Sequence, residues 1–280
     1  MKKALKDRCR HPLSFIVFIL IILAAVITVG AMLFIVAYIL IKGIPHLSLE
    51  MFEFTYNSEN LSMMPAIINT LIMTVLTLII AVPVGILSAV YLVEYAKRGS
   101  KLVSVIRITT ETLSGIPSIV FGLFGYLAFV IATGWRNSII AGALTLAIMV
   151  LPTIIRTTEE ALIAVPDSYR EGSYGLGAGK LRTIFKIVLP SAVPGILSGV
   201  ILSIGRIVGE TAALIFTSGT VAAVPQKLTD SARTLAVHMY CLMTEGLYTG
   251  QAYATAVILI VMVLLINGLS GLIAHKIAKR

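Results

Sequence analysis

Residues 14–41 run for 28 positions without an Asp, Glu, Lys or Arg. A helix rises 1.5 Å per residue, so this stretch exceeds the roughly 20 residues that cross a hydrocarbon layer. The apolar core of a secretory leader is only about 7–15 residues long, so a retained first span is expected here. Five further stretches are also long and mostly apolar: residues 66–95, 107–132, 138–157, 192–217 and 253–275. Pro83, Pro117 and Pro152 fall inside them. Such prolines are tolerated where neighbouring groups re-satisfy the freed carbonyl. The third stretch is the most polar, with Thr109, Thr110, Glu111, Thr112 and Ser114. The chain is 58% hydrophobic and 12% charged, against about 25% charged residues in soluble domains. The pattern predicts an all-α membrane protein with six transmembrane helices.

The formal net charge is +9, yet the basic residues do not gather as a nucleic-acid-binding surface does. They lie in short segments between the apolar runs. Lys2, Lys3, Lys6, Arg8 and Arg10 precede the first run. Lys97, Arg98, Lys101 and Arg107 follow the second. Arg156, Arg170, Lys180, Arg182 and Lys186 separate the fourth from the fifth, and Lys276, Lys279 and Arg280 end the chain. Seventeen thus fall on one side, while Lys42, Arg136, Lys227 and Arg233 fall on the other. The positive-inside rule places both termini in the cytoplasm. Residues 1–13 are read as a cytoplasmic segment and 14–280 as one six-helix membrane domain. Cys9 and Cys241 then lie on opposite sides and cannot pair.

Two connections are long: cytoplasmic residues 158–190 and external residues 218–252. The first predicts two short helices. Asp167 caps one, which glycines 175, 177 and 179 break. The other spans 180–189, with Leu181, Ile184, Phe185 and Val188 at helical spacing, and Pro190 ends it. An interfacial loop on anionic headgroups is equally compatible with this composition. The stretch Gly177-Ala178-Gly179-Lys180 fails as a nucleotide loop. Tyr174 stands where the first glycine belongs, and Leu181 follows the lysine. No nucleotide, metal or other cofactor is expected to bind directly. The four histidines are dispersed, and no catalytic arrangement is seen. In the second connection Leu235, Met239 and Leu242 share a helical face, fitting either a cover over the bundle or a contact with a partner.

Arg206 and Glu210 stand four apart within the fifth span. Intramembrane charges cost about 2.5–3.5 kcal/mol each on insertion scales, so they pair or face a cavity. The two side chains fit a mutual pair or a pathway site for an anion, with the guanidinium fork suited to oxyanions. Arg107 and Glu111 repeat the spacing. Glu111, Ser114, Ser118, Gly122 and Gly125 form one small, polar stripe, for packing or for lining a path. Gly195 with Gly199, and Gly205 with Gly209, are spaced for close helix contact.

Glu171-Gly172-Ser173, then Gly177 and Ile187-Val188-Leu189-Pro190 at spacings of three and nine residues, resemble the E-A-A…G…I-x-L-P loop of type I ABC importer permeases. Gly172 and Ser173 depart from its two alanines but remain small. Further stretches resemble the A-type permease subunit of phosphate-specific transport: Asn69-Thr70-Leu71 through Glu94-Tyr95-Ala96, residues 115–122, residues 192–202, Gly209-Glu210-Thr211-Ala212 and residues 235–240. The resemblance implies that Arg170, Glu171, Gly172, Ser173, Gly177, Ile187, Leu189 and Pro190 form a loop that docks on an ATP-binding subunit. It also implies Arg206 and Glu210 as substrate-pathway residues, and Glu111 of the polar stripe is taken with them as a candidate. The partners would be a second, C-type permease subunit, an ATP-binding subunit dimer that uses the ATP, an extracytoplasmic phosphate-binding protein, and membrane lipid. Rival readings are a permease for molybdate or phosphonate, or a stand-alone ion-driven carrier, which leaves the loop pattern unexplained.

Overall fold

A computed structural model describes residues 12–97 and 99–278. The N-terminal basic cluster, Cys9, Arg98, Lys279 and Arg280 lie outside the described residues. Helix α1 (Pro12–Gly43) leads through short turns at Ile44–His46 and Leu49–Phe52 to α2 (Met64–Val90), which one π turn, Tyr91–Tyr95, prolongs. Next come α3 (Lys101–Ser114), α4 (Ser118–Gly125) with a π turn at Tyr126–Ile131, and α5 (Ile139–Ile163). Then follow α6 (Asp167–Gly175), α7 (Lys180–Thr183), a π turn at Ile184–Val188, and α8 (Leu189–Val208). The chain closes with α9 (Ala212–Thr217), α10 (Leu235–Glu245) and α11 (Thr249–Ala278). No strand occurs among the described residues.

Five of these helical stretches are long and apolar enough to span a membrane, and the third expected span is the exception. It is α3 and α4, bent by 105°. Pro117 lacks an N–H, and a residue preceding proline is driven out of the helical region. Gly115 and Ile116 instead close 3₁₀-type bonds onto Thr112 and Leu113, and α4 restarts after Pro117. The bent pair still carries the chain from one end to the other. Arg170 meets Glu94 at one end. At the opposite end the Ser138 N–H donates to the Thr217 carbonyl, and Asn69 donates to the Arg233 carbonyl. Two crossings, by the bent pair and by α5, therefore separate residue 95 from residue 170. The first of these ends holds the basic loops and is called the basic end below.

Helix α5 is the central post. Within its most apolar stretch 67% of residues are buried, against 0% in α1. Ser138 caps it by accepting the Ala141 N–H at 3.4 Å. Met73 and Ala81 of α2, Phe121 of α4, Leu146 and Ile154 of α5, Ile207 of α8 and Leu214 of α9 form its main core. Water drives nothing together inside lipid, so close backbone approach has to supply the packing. The Gly195/Gly199 pair does this against α5. A Cβ on Gly199 would run into the Thr157 side chain, and one on Gly195 would sit 2.6 Å from Ala161 Cβ. A Cβ on Gly205 meets nothing, so that pair is not used within the chain. The polar stripe likewise divides. Gly122 and Gly125 lie against α9 and Thr145, while Glu111 and Ser114 stay exposed.

The fifth span also differs from its expected limits. It begins inside the loop, at Lys180, and ends at Val208. Pro190 does not terminate the second short helix, because the preceding turn is widened: the Leu189 N–H donates to the Ile184 carbonyl five residues back. That π turn absorbs the missing proline bond and lets the chain continue. The expected apolar face is only half buried. Ile184 and Val188 are buried, while Leu181 and Phe185 are exposed. At the other end Gly209, Glu210 and Thr211 break the helix and α9 sets off separately. The fourth span runs beyond residue 157 to Ile163.

Candidate coupling loop and anion pathway

The basic-end loop folds as two short helices clasped together. Asp167 is the first residue of α6, after Pro166, and its carboxylate accepts from Arg170 Nη1 at 3.2 Å rather than capping the backbone. Gly177 ends α6 with φ +81. The Gly177 N–H donates to Tyr174 O and the Ala178 N–H to Ser173 O, the paired bonds of a Schellman cap, which a left-handed glycine closes without Cβ strain. Ser173 is buried, and its hydroxyl lies 2.8 Å from the Thr183 hydroxyl, locking α6 to α7. Gly172 is exposed, and a Cβ there would meet nothing, so the departure from alanine is a surface matter. Ile187 and Leu189 are half-buried and Pro190 is exposed.

Leu176, at 91% exposure, protrudes from the tip, flanked by exposed Tyr174, Leu181 and Phe185. An apolar tip on a basic, glycine-bent stub suits insertion into a cleft. Glu171 is exposed beside it. Arg170 is not available to a partner, contrary to expectation: its donors go to Glu94, Leu162, Val165 and Asp167 of its own chain.

Arg206 and Glu210 are both half-buried but form no ion pair with each other among the described residues. The helix ends between them. Glu210 accepts the Ala213 N–H at 3.0 Å and so holds the start of α9. Arg206 Nη1 donates to the Thr153 hydroxyl of α5 at 3.4 Å, a neutral partner that leaves its charge unneutralised. Arg107 pairs with Glu159 of α5 instead of Glu111. Glu111 faces an open recess of about 320 Å³ shared with Arg107, Ser114, Arg156, Glu159 and Glu160. Arg206 does not line it. Sequence reasoning missed Glu94, Glu159 and Glu160, which gain their partners only from tertiary packing or from the extra turns of α5. The helical spacing of Arg156 and Glu160 was the one available signal.

At the far end, Arg233 is 5% exposed and stacks 4.4 Å from the Tyr56 ring centre. Tyr56 meets the buried His238 edge-on. Burial, and next the nearby guanidinium, lower the His238 pKa to about 3. Helix α10 is a cover: Leu235 and Leu242 are fully buried and Met239 half-buried.

Residues 81–279 match the family described as binding-protein-dependent transport system inner membrane component. The probable ABC transporter permease protein YqgI of Bacillus subtilis is 35% identical over 88% of this chain and 89% of its own length. The phosphate transport system permease protein PstA of Mycobacterium leprae is 38% identical over 72% of this chain and 67% of its own. Among solved structures, a permease of a bacterial ABC transporter involved in alginate import superposes with a TM-score of 0.66 over 98% of this chain and 99% of its own, at 16% identity. An inward-facing structure of the MetNI methionine ABC transporter gives 0.61 over 76% and 93%, at 21% identity. These likenesses place the fold among type I ABC importer permeases. The chain therefore belongs to the binding-protein-dependent transport system inner membrane component family, as a multi-pass permease subunit of an ABC importer.

Proposed function

We propose that this chain is the A-type half of a phosphate importer, pairing with a C-type permease and driven by an ATP-binding subunit dimer. An extracytoplasmic binding protein would deliver inorganic phosphate to the end away from the basic loops. The observation that carries the reading is the stub at residues 167–190: two clasped helices, a left-handed Gly177 and an exposed Leu176. A rigid stub turns closure of a nucleotide-bound dimer into displacement of the helices joined to it, so the path opens to each side in turn. ATP hydrolysis is assigned to the partner, and no cofactor to this chain.

Phosphate is favoured by the phosphate-transport relatives and by Arg206, whose guanidinium has a neutral hydroxyl at its side and donors suited to phosphate oxygens. Glu210, occupied at the start of α9, would position the helix break beside Arg206. Glu111 would sit at the inner mouth. The test is reconstitution of both permeases and the ATP-binding subunit in liposomes with the binding protein. ATP-dependent uptake of phosphate in preference to molybdate and phosphonates is expected. Preference for another oxyanion would overturn the substrate, and uptake without the ATP-binding subunit would overturn the class.

A further inference from the structure

The loop is covalently continuous with only two spans. Helix α6 follows α5 after a three-residue link, and α7 runs into α8 through the π turn. A push on the stub reaches α5 and α8 through the chain itself. Helix α2 has no such link, yet it contributes to the core shared by all three. Its π turn, Tyr91–Tyr95, is instead gripped from the loop. Arg170 Nε and Nη2 donate to Glu94 Oε1 at 3.0 and 2.9 Å. The same guanidinium donates to the Leu162 carbonyl at 2.9 Å and the Val165 carbonyl at 2.8 Å, at the end of α5. The Arg170 and Glu94 side chains are 13% and 7% exposed. From the second short helix, Lys180 Nζ stands 4.6 Å over the Tyr95 ring.

We propose that Arg170 and Glu94 form a clamp delivering the displacement of the coupling loop to α2, with the Tyr91–Tyr95 turn as receiver. Arg170 is a positioning residue in this scheme, not a docking contact. Apolar contacts of Ala89 and Val90 with the loop also join the two, but side-chain packing can slide. A buried, multiply bonded ion pair holds one geometry, and removal of either partner strands the other charge. The inference rests on the ABC-importer reading above.

The test uses the complete transporter in nanodiscs, measuring the ratio of ATPase rates with and without phosphate-loaded binding protein, per assembled complex. Arg170→Gln and Glu94→Gln are each expected to reduce uptake at least about ten-fold and to bring that ratio toward one. The double variant is expected to be no worse than either single, because one clamp is broken only once. Arg170→Lys, which keeps the charge but not the fork, should restore part of the ratio. Single variants that assemble and respond like the wild type would overturn the clamp alone, as would losses that simply add in the double variant. Reduced assembly with an unchanged ratio would also overturn it, leaving Arg170 a purely structural residue. A wild-type complex whose ATPase ignores the loaded binding protein would overturn the clamp together with the reading beneath it.

Discussion

An arginine held within a bundle by one neutral hydroxyl retains most of its capacity for an anion. Arg206 has only the Thr153 contact at 3.4 Å among its described side-chain bonds. Arg206→Ala removes a charge-assisted donor set, each bond contributing about 1.5–3 kcal/mol, so phosphate uptake should fall roughly 10–100-fold while the complex still assembles. Wild-type uptake by that variant would take Arg206 out of the pathway. His238, on α10 outside the spans, is the opposite case, a side chain kept from its proton. Above pH 6.5 the folded and unfolded chains both hold it neutral. Below that, the unfolded chain takes up a proton that the folded one, with a pKa of about 3, refuses. Stability should therefore fall with acidification, by about 1.4 kcal/mol at pH 5.5. Melting of the detergent-solubilised protein should show less acid sensitivity in His238→Gln. The same pH slope in both proteins would rule His238 out as its source.

At the scale of elements, the loop's stiffness rests on two small features. Gly177→Val places a β-branched residue at φ +81, costing about 1–2 kcal/mol in the left-handed region. Space is not the obstacle, since a Cβ there meets nothing. The expected result is an assembled transporter whose ATPase no longer responds to the loaded binding protein; an undiminished response would show that the bend is not needed for coupling. Gly172→Ala should leave uptake intact and add about 0.5–1 kcal/mol of helix stability, measurable as a raised melting temperature. These helices also show what the sequence can and cannot express. Apolar run length marked every crossing, and the basic loops that follow the second and fourth runs meet at one end through Glu94 and Arg170. The loop's residue types marked its glycine bend. Helix limits were less legible, because they depend on local backbone chemistry. Pro117 bends the third span sharply, whereas Pro190 is carried through by a widened turn. Glu94 gave no sign in sequence that Arg170, 76 residues away, would claim it, and Arg206 gave none that its helix would end before reaching Glu210.

For the molecule as a whole, everything turns on whether the bent pair α3–α4 counts as a crossing. If it does, residues 97 and 176 lie on one side and residue 247 on the other. If the pair only dips in and returns, the order inverts after it: residues 97 and 247 would share a side, and the coupling stub would face away from any cytoplasmic motor. The buried Arg170–Glu94 pair and the Lys180–Tyr95 contact hold the residue-95 turn against the stub, which permits only the first arrangement. In a chain stripped of Cys9 and Cys241, single cysteines at the exposed Lys97, Leu176 and Leu247 distinguish the two. A membrane-impermeant maleimide added to intact cells should label the Leu247 position alone. Opening the cytoplasmic face should then expose both others. Labelling at 176 from outside would break the six-span order and remove the stub from the side on which ATP is spent.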